Sequence, residues 1–320
     1  MQRQRSQRKS KVSGVSFMAN KKNKKKKKNF LIKYKSDYLF MAPYLLVFLL
    51  FQVVPVVMSI ALSFTYFNVF EPPRFVGLAN YLKMFLNDKL FMTAFANTMV
   101  LTIITGPVGY VLSFGIAWMV NEFKPKLRSF LTLLFYIPSL TGGMAAIWMI
   151  VFNGDQYGIL NGVLMSLNAI FAPIQWLTDT DYMMGVAIVI AIWMSLGTSF
   201  LAFVAGFRTV DEKLYEAAAI DGVRNRFQEL WYITLPSMKP QLLFGAVMSI
   251  TSAFGISSII SQVFGFPSTG YRLYTLVHML EDYGGQRFEM GYASAVATVL
   301  FLLMVGINTA VRKLIAKVGK

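Results

Sequence analysis

The sequence predicts an all-α membrane protein of six transmembrane helices, on three observations. Of its 320 residues, 56% are hydrophobic and only 14% charged, a balance too apolar for a soluble domain. Charge-free runs recur at roughly 38–65, 97–121, 129–152, 182–206, 241–264 and 290–311, each at or above the ~20 residues an α-helix needs to cross the hydrocarbon core. Period-2 alternation does not persist through any run, and each is about twice a barrel strand in length, which argues against a transmembrane β-barrel.

The chain opens on residues 1–37, a polybasic tail expected to be disordered, with a lysine run from Lys24 to Lys28. The net charge of +16 raises nucleic acid as a partner. However, a lysine run without interleaved aromatics, set directly before an apolar span, reads as a topology signal attracted to anionic lipid. No small-residue cleavage site follows the first run, so it reads as a retained helix and not a signal peptide. Met18 precedes a more ordinary basic start, and residues 1–17 read as an extension. Residues 38–320 then form one membrane domain. Lysine and arginine assign its orientation, since they are retained on the cytoplasmic side. Twenty-six lie in the tail, the 121–128 and 208–240 loops and the C-terminus, against five in the other three loops. Both termini and the 208–240 loop are therefore expected in the cytoplasm.

The loops assigned outside, roughly 66–96, 153–181 and 265–289, are too short for an independent core. Leu78, Tyr81, Leu82, Phe85 and Leu86 within Phe75–Phe95 have the spacing of a helix lying on the surface. Pro55, Gly106-Pro107, and Pro138 with Gly142-Gly143 interrupt the first three spans, which suits ordinary kinks or helices lining a path. No span contains Asp, Glu, Lys, Arg or His, the groups that ion-coupled carriers commonly keep in the membrane. No Gly-x-x-x-x-Gly-Lys loop is present, so ATP hydrolysis is not expected of this chain. The absence of cysteine removes disulfides, thiol catalysis and thiolate metal sites, and the lone His278 reads as a surface histidine near Glu281 and Asp282.

The 208–240 loop has a different character. Thr209 with Glu212 has capping-box spacing, Leu214 to Ile220 continue a helix, and Asp221-Gly222 supplies a stop. A second helix is expected from Asn225, paired with Gln228, to a point before Pro236. Ala217, Ala218 and Ala219 leave a thin surface that a partner's groove can approach, beside Glu216, which can pair with a basic residue. Local physics leaves open a loop that merely caps its own bundle.

Glu216-Ala217-Ala218, then Gly222, then Ile233-Thr234-Leu235-Pro236 resembles the coupling-helix motif of bacterial ABC importer permeases of the binding-protein-dependent type, in the sugar-transporter branch. Gly77-Leu78-Ala79-Asn80-Tyr81, Asn97-Thr98, Tyr136-Ile137-Pro138, Trp193 and Gly291-Tyr292-Ala293-Ser294-Ala295 are similar to further patches of that family, extending the resemblance over about 38–315. Two departures stand out: ten residues separate Gly222 from Ile233 where nine is usual, and Gly265-Phe266-Pro267 stands where Gly-Gly-Pro is common. The resemblance implies a type I ABC importer permease fold with a cytoplasmic coupling-helix hairpin, in a bacterial cell membrane. It implies a pore-forming, non-catalytic subunit that pairs with a second permease, docks a cytoplasmic ABC ATPase dimer and receives sugar from an extracytoplasmic binding protein. ATP and magnesium would sit on the ATPase and no cofactor on this chain. Glu216, Ala217, Ala218, Asp221, Gly222, Leu235 and Pro236 would form the docking element. Alignment with the maltose-type permease puts Phe135, Ser139, Ser195, Thr198, Thr251, Ser252 and Gly255 along the substrate path. These are small and polar apart from Phe135, which suits a roomy cavity or helix packing. The rival readings are an ion-coupled secondary transporter and an importer of another solute such as glycerol phosphate.

Overall fold

The computed structural model describes residues 35–140 and 142–316; of the polybasic tail, residues 1–34 lie outside the described residues, and its last three open the first helix. Two units are distinguished, one ending at Ser59 and the other running from Ile60. The first contributes helix α1 (Lys35–Phe48) and, after a π turn, most of α2 (Val54–Leu62). Tyr38–Leu62 is long and apolar enough to cross a membrane, and its side chains are exposed, Phe40 at 87%.

The second unit begins with a two-stranded antiparallel ribbon, β1 (Thr65–Tyr66) and β2 (Arg74–Phe75), followed by the short α3 (Ala79–Leu82) and the long α4 (Lys89–Asn121). The surface helix expected over Phe75–Phe95 is thus divided. Asp88 leaves the helical region at φ −98° and ψ 96°, and its carboxylate caps a new helix by accepting from the Leu90 and Phe91 N–H groups. The second span therefore starts at Lys89 and not near 97, and Phe91 and Ala94 are buried.

Next come α5 (Pro125–Leu140), α6 (Ala145–Val151), α7 (Ile159–Ser166), α8 (Thr180–Met194) and α9 (Thr198–Phe207). The hairpin α10 (Glu212–Ile220), α11 (Arg226–Glu229) and α12 (Leu235–Ser237) follows, then α13 (Lys239–Phe254), α14 (Ser257–Phe264), α15 (Leu276–Glu281) and α16 (Met290–Ile315). Among the described residues, five continuous or gently broken helices are long and apolar enough to span, and the α5–α6 pair makes a sixth if counted as one broken span. Pro138 lies buried inside α5, and the break between α5 and α6 comes later, at the Gly142–Met144 turn. The stretches α8–α9 and α13–α14 each break once more, at Ser195–Gly197 and at Gly255–Ile256.

The end of the bundle away from the hairpin is stapled by polar side chains. Asn97 donates to the Tyr271 and Tyr274 carbonyls at 3.3 and 3.0 Å, and Thr98 accepts from the Leu276 N–H at 2.9 Å. Asn80 donates to the Ser63 and Thr65 carbonyls, and Tyr81 to the Ser63 hydroxyl. Gly291 lies so close to the Thr65 carbonyl that no Cβ fits between them, and its N–H donates to Phe67 O at 3.0 Å. The Asn80, Asn97 and Gly291 patches thus hold loops to spans, each satisfying carbonyls that the short ribbon and loops leave unpaired.

His278 corrects an expectation. It is 1% exposed, buried and not on the surface. The Thr275 N–H can only donate, so Nδ1 accepts at 3.1 Å and the ring proton sits on Nε2, which donates to Ser257 O at 3.0 Å. Burial pushes its pKa below the ordinary histidine value, keeping the ring neutral. Phe266, the residue that replaces the common glycine, stacks on His278 and Tyr274 with centroids 5.5 and 6.1 Å apart.

Candidate functional site

The hairpin between α9 and α13 is built from local signals. Asp211, not Thr209, is the N-cap of α10: its carboxylate accepts from the Lys213 N–H at 3.0 Å, while the Thr209 hydroxyl donates back to Gly206 O. Thr209 fails as a cap because it still sits within hydrogen-bond reach of the preceding turn. The helix stops in a Schellman motif: the Gly222 N–H donates to Ala219 O and the Val223 N–H to Ala218 O, with Gly222 at φ +96°. Asn225 then caps α11, accepting from the Gln228 N–H at 2.8 Å, and Gln228 Oε1 accepts from the Arg224 N–H.

The second helix does not end before Pro236. It passes through a π turn at Leu230–Thr234 into α12, which contains the proline. A π turn takes one more residue than an α turn, and Pro236, which has no N–H to donate, follows just after it. The extra residue between Gly222 and Ile233 is thereby absorbed within the helix. Tyr215 and Thr234 join the two arms through a 2.8 Å hydroxyl contact.

The arms divide into two faces. Tyr215, Ala218, Leu230 and Leu235 pack against the core formed by Phe200, Phe203, Met238 and neighbours. Glu216, Ala217, Asp221 and Gly222 are exposed, and Pro236 is half-buried. Of the two central alanines, Ala218 therefore seats the helix and Ala217 faces out. Sequence reasoning missed Ile220, Phe227, Trp231 and Tyr232, which are 87%, 72%, 62% and 69% exposed. Apolar side chains on a helix ordinarily turn to the core, and only the way the hairpin packs leaves these four outside. A polar cavity of about 340 Å³ lies between the hairpin and the end of α4, lined by Trp118, Glu122, Arg128, Arg208, Arg226 and Thr234 among others.

The substrate-path residues gather around the breaks in α8–α9 and α13–α14. Ser195 and Ser252 line a crevice of about 60 Å³ with Thr105 and Ser249. That volume holds a few water molecules. Ser195 Oγ donates to Ile192 O, and its carbonyl accepts from the Ser113 hydroxyl at 3.4 Å. Ser249 is buried, and its hydroxyl has no partner within the described protein. Ser139 stands beside Gly197, with its hydroxyl donating to Tyr136 O. Thr198, Thr251, Ser252 and Gly255 are exposed, the Thr251 hydroxyl donating to Val247 O. Phe135 is set apart: it packs edge-on against Phe200 at 6.1 Å in the hairpin-side core and does not line the crevice.

A helical bundle whose acidic and basic residues stand only near the ends of its spans, with broken helices around a hydroxyl-lined crevice and a helical hairpin projecting between two spans, defines a multi-pass membrane transport subunit. The model of the family described as binding-protein-dependent transport system inner membrane component matches residues 109–319, and the chain belongs to that family. It is 32% identical over 287 residues, 89% of this chain and 90% of the other, to the arabinooligosaccharides transport system permease protein AraP of Bacillus subtilis (strain 168). It is 28% identical over 275 residues, 84% of this chain and 90% of the other, to the trehalose/maltose transport system permease protein MalF of Thermococcus litoralis. Its fold matches a chain in the crystal structure of a bacterial alginate ABC transporter in complex with alginate pentasaccharide-bound periplasmic protein. The TM-score there is 0.72 at 20% identity, covering 91% of this chain and 99% of that one. The chain is thus an ABC importer permease.

Proposed function

We propose that this permease is the pore-forming half of an ATP-driven importer of an oligosaccharide, docked to a separate ATPase dimer through the exposed face of the hairpin. The observation that carries the docking is the division of α10: Tyr215 and Ala218 are half-buried against the bundle core while Glu216, Ala217 and Ile220 stand out as a narrow edge. An apolar residue exposed at 87% beside a carboxylate is costly in water and gains on entering a partner's groove. Glu216 would pair there with a basic residue, and Leu235 and Pro236 would brace the edge from behind. The lysine and arginine bias puts this face and both termini in the cytoplasm, and the Asn97–Tyr292 end outside, where a binding protein would deliver sugar.

The carbohydrate assignment rests on the relatives' arabinooligosaccharide and trehalose/maltose transport and on the chemistry of the breaks. Ser195, Thr198, Thr251 and Ser252 offer hydroxyls, and the spans offer no charge to hold an ionic substrate. The crevice is too small for a sugar ring, so the path would open fully only against a second permease, across the exposed Thr198, Thr251 and Gly255. ATP and magnesium belong to the ATPase in this reading. The test is ATP hydrolysis by the purified complex in lipid, with and without the binding protein and a panel of oligosaccharides. Stimulation that needs both supports the reading. Solute movement driven by an ion gradient, without hydrolysis, overturns it.

A further inference from the structure

We infer that Arg226 and Glu122, with the Trp118–Phe227 ring pair, clamp the second arm of the hairpin to the end of α4, and that the clamp transmits hairpin movement to the helix breaks. This rests on the reading of the hairpin as the ATPase-docking element. Arg226 Nη2 lies 3.4 Å from Glu122 Oε2, and Nη1 lies 2.8 Å from Glu229 Oε2 on its own arm. Next to Arg226, the Phe227 ring meets Trp118 edge-on with centroids 5.3 Å apart. Trp118 and Glu122 are one turn apart on α4, so two consecutive residues of α11 grip one stripe of the long helix.

Glu122 is the C-cap of that helix. A carboxylate there faces the negative end of the helix dipole, an unfavourable place unless a cation answers it, and Arg226 is that cation. The bond to Glu229, then the charge of Glu122, holds the guanidinium pKa above its ordinary range.

From the clamp, α4 leads to the substrate-path breaks. The Ser113 hydroxyl donates to the Ser195 carbonyl, Gly109 lies against the Ser195 side chain with no room for a Cβ, and Thr105 lines the hydroxyl crevice. The sequence of contacts is contiguous: α11 to Glu122, along α4, to Ser195 at the α8–α9 break. Both members of the ion pair are open to solvent, at 66% and 46% exposure, so the pair adds little to global stability. Breaking it leaves the fold standing and loosens the linkage, which makes the clamp a positioning device separable from the docking edge at Glu216.

The test uses the complete complex in lipid, with the second permease, ATPase and binding protein, in a Glu229→Gln background that removes the competing carboxylate. Sugar uptake and ATP hydrolysis are measured separately. E122R and R226E are each expected to raise the ATP hydrolysed per sugar moved several-fold, and E122R/R226E to restore the background ratio, with thermal midpoints unchanged throughout. Unchanged ratios in the single variants, or a double variant no better than either, overturn the clamp. Glu216→Lys is run alongside. If it abolishes sugar-stimulated hydrolysis while the clamp variants behave as the background, only the clamp is wrong. If Glu216→Lys itself changes nothing, the docking reading falls and the clamp with it.

Discussion

Replacing Asp88 with alanine removes two supports through one side chain. Oδ1 accepts from the Leu90 and Phe91 N–H groups at 2.9 and 3.1 Å, starting α4, and Oδ2 accepts from the Tyr292 hydroxyl at 2.6 Å, fixing the first turn of α16. Loss of an N-cap costs about 0.5–2 kcal/mol. Loss of a hydrogen bond to a charged acceptor costs about 1.5–3 kcal/mol. Because the carboxylate is only half-buried, water recovers part of the second figure, and Asp88→Ala is expected to destabilise the folded bundle by about 2–4 kcal/mol. Asp88→Asn keeps a good cap and loses only the anionic acceptor, so it should cost about 1–2 kcal/mol, and Tyr292→Phe a similar amount. Thermal unfolding of the four proteins in one lipid composition, followed by tryptophan fluorescence, reads the order. Asp88→Ala should melt lowest, with Asp88→Asn and Tyr292→Phe between it and the parent. Adding Tyr292→Phe to Asp88→Asn should cost less than the separate losses combined, since both remove the same bond. Tyr292→Phe melting with the parent refutes the hydroxyl–carboxylate link. Asp88→Ala melting with Tyr292→Phe refutes the cap.

Glu216→Lys is expected to abolish uptake while leaving membrane insertion and permease pairing intact, and sugar uptake at the parent rate would sink the docking edge. Gly222→Val places a branched side chain at φ +96°, a strain of about 1–2 kcal/mol. It should cut stimulated ATP hydrolysis by disordering the Schellman stop while span content by circular dichroism is unchanged. For His278, burial lowers the folded pKa, so as pH falls below the ordinary value of 6.5 the unfolded chain takes up the proton first. Stability is then full above that pH and declines below it, until the buried ring itself titrates. Unfolding midpoints measured from pH 7.5 to about 5 should fall more in the parent than in His278→Gln, and parallel curves would contradict the assignment.

The site was legible in the sequence to the extent that its signals are local. Asn225 caps α11 as its spacing with Gln228 implies, and Asp221-Gly222 stops α10 because the stop needs a backbone that glycine adopts freely. Thr209 shows the limit, since it and Asp211, two residues on, compete for one cap and the choice depends on where the preceding span ends. Pro236 shows another: the helix runs through it because a π turn shifts the register just before it. Ala217 and Ala218 are indistinguishable in a propensity argument, yet Ala218 packs half-buried against the core and Ala217 is exposed.

By itself the sequence determined what free energy of transfer and local geometry determine. The apolar runs must enter a membrane, the charged loops cannot, and the Glu216–Pro236 segment carries its own caps and stops. Which face of that segment is left outside was decided only by the tertiary structure, through the seat that Phe200, Phe203 and Met238 make for Tyr215, Ala218 and Leu235. The same holds for His278, whose neutrality comes from its burial, and for Arg226, whose partner Glu122 lies on another helix. Burial and ion pairing between distant residues depend on how helices pack against each other, and no pattern along one helix encodes that.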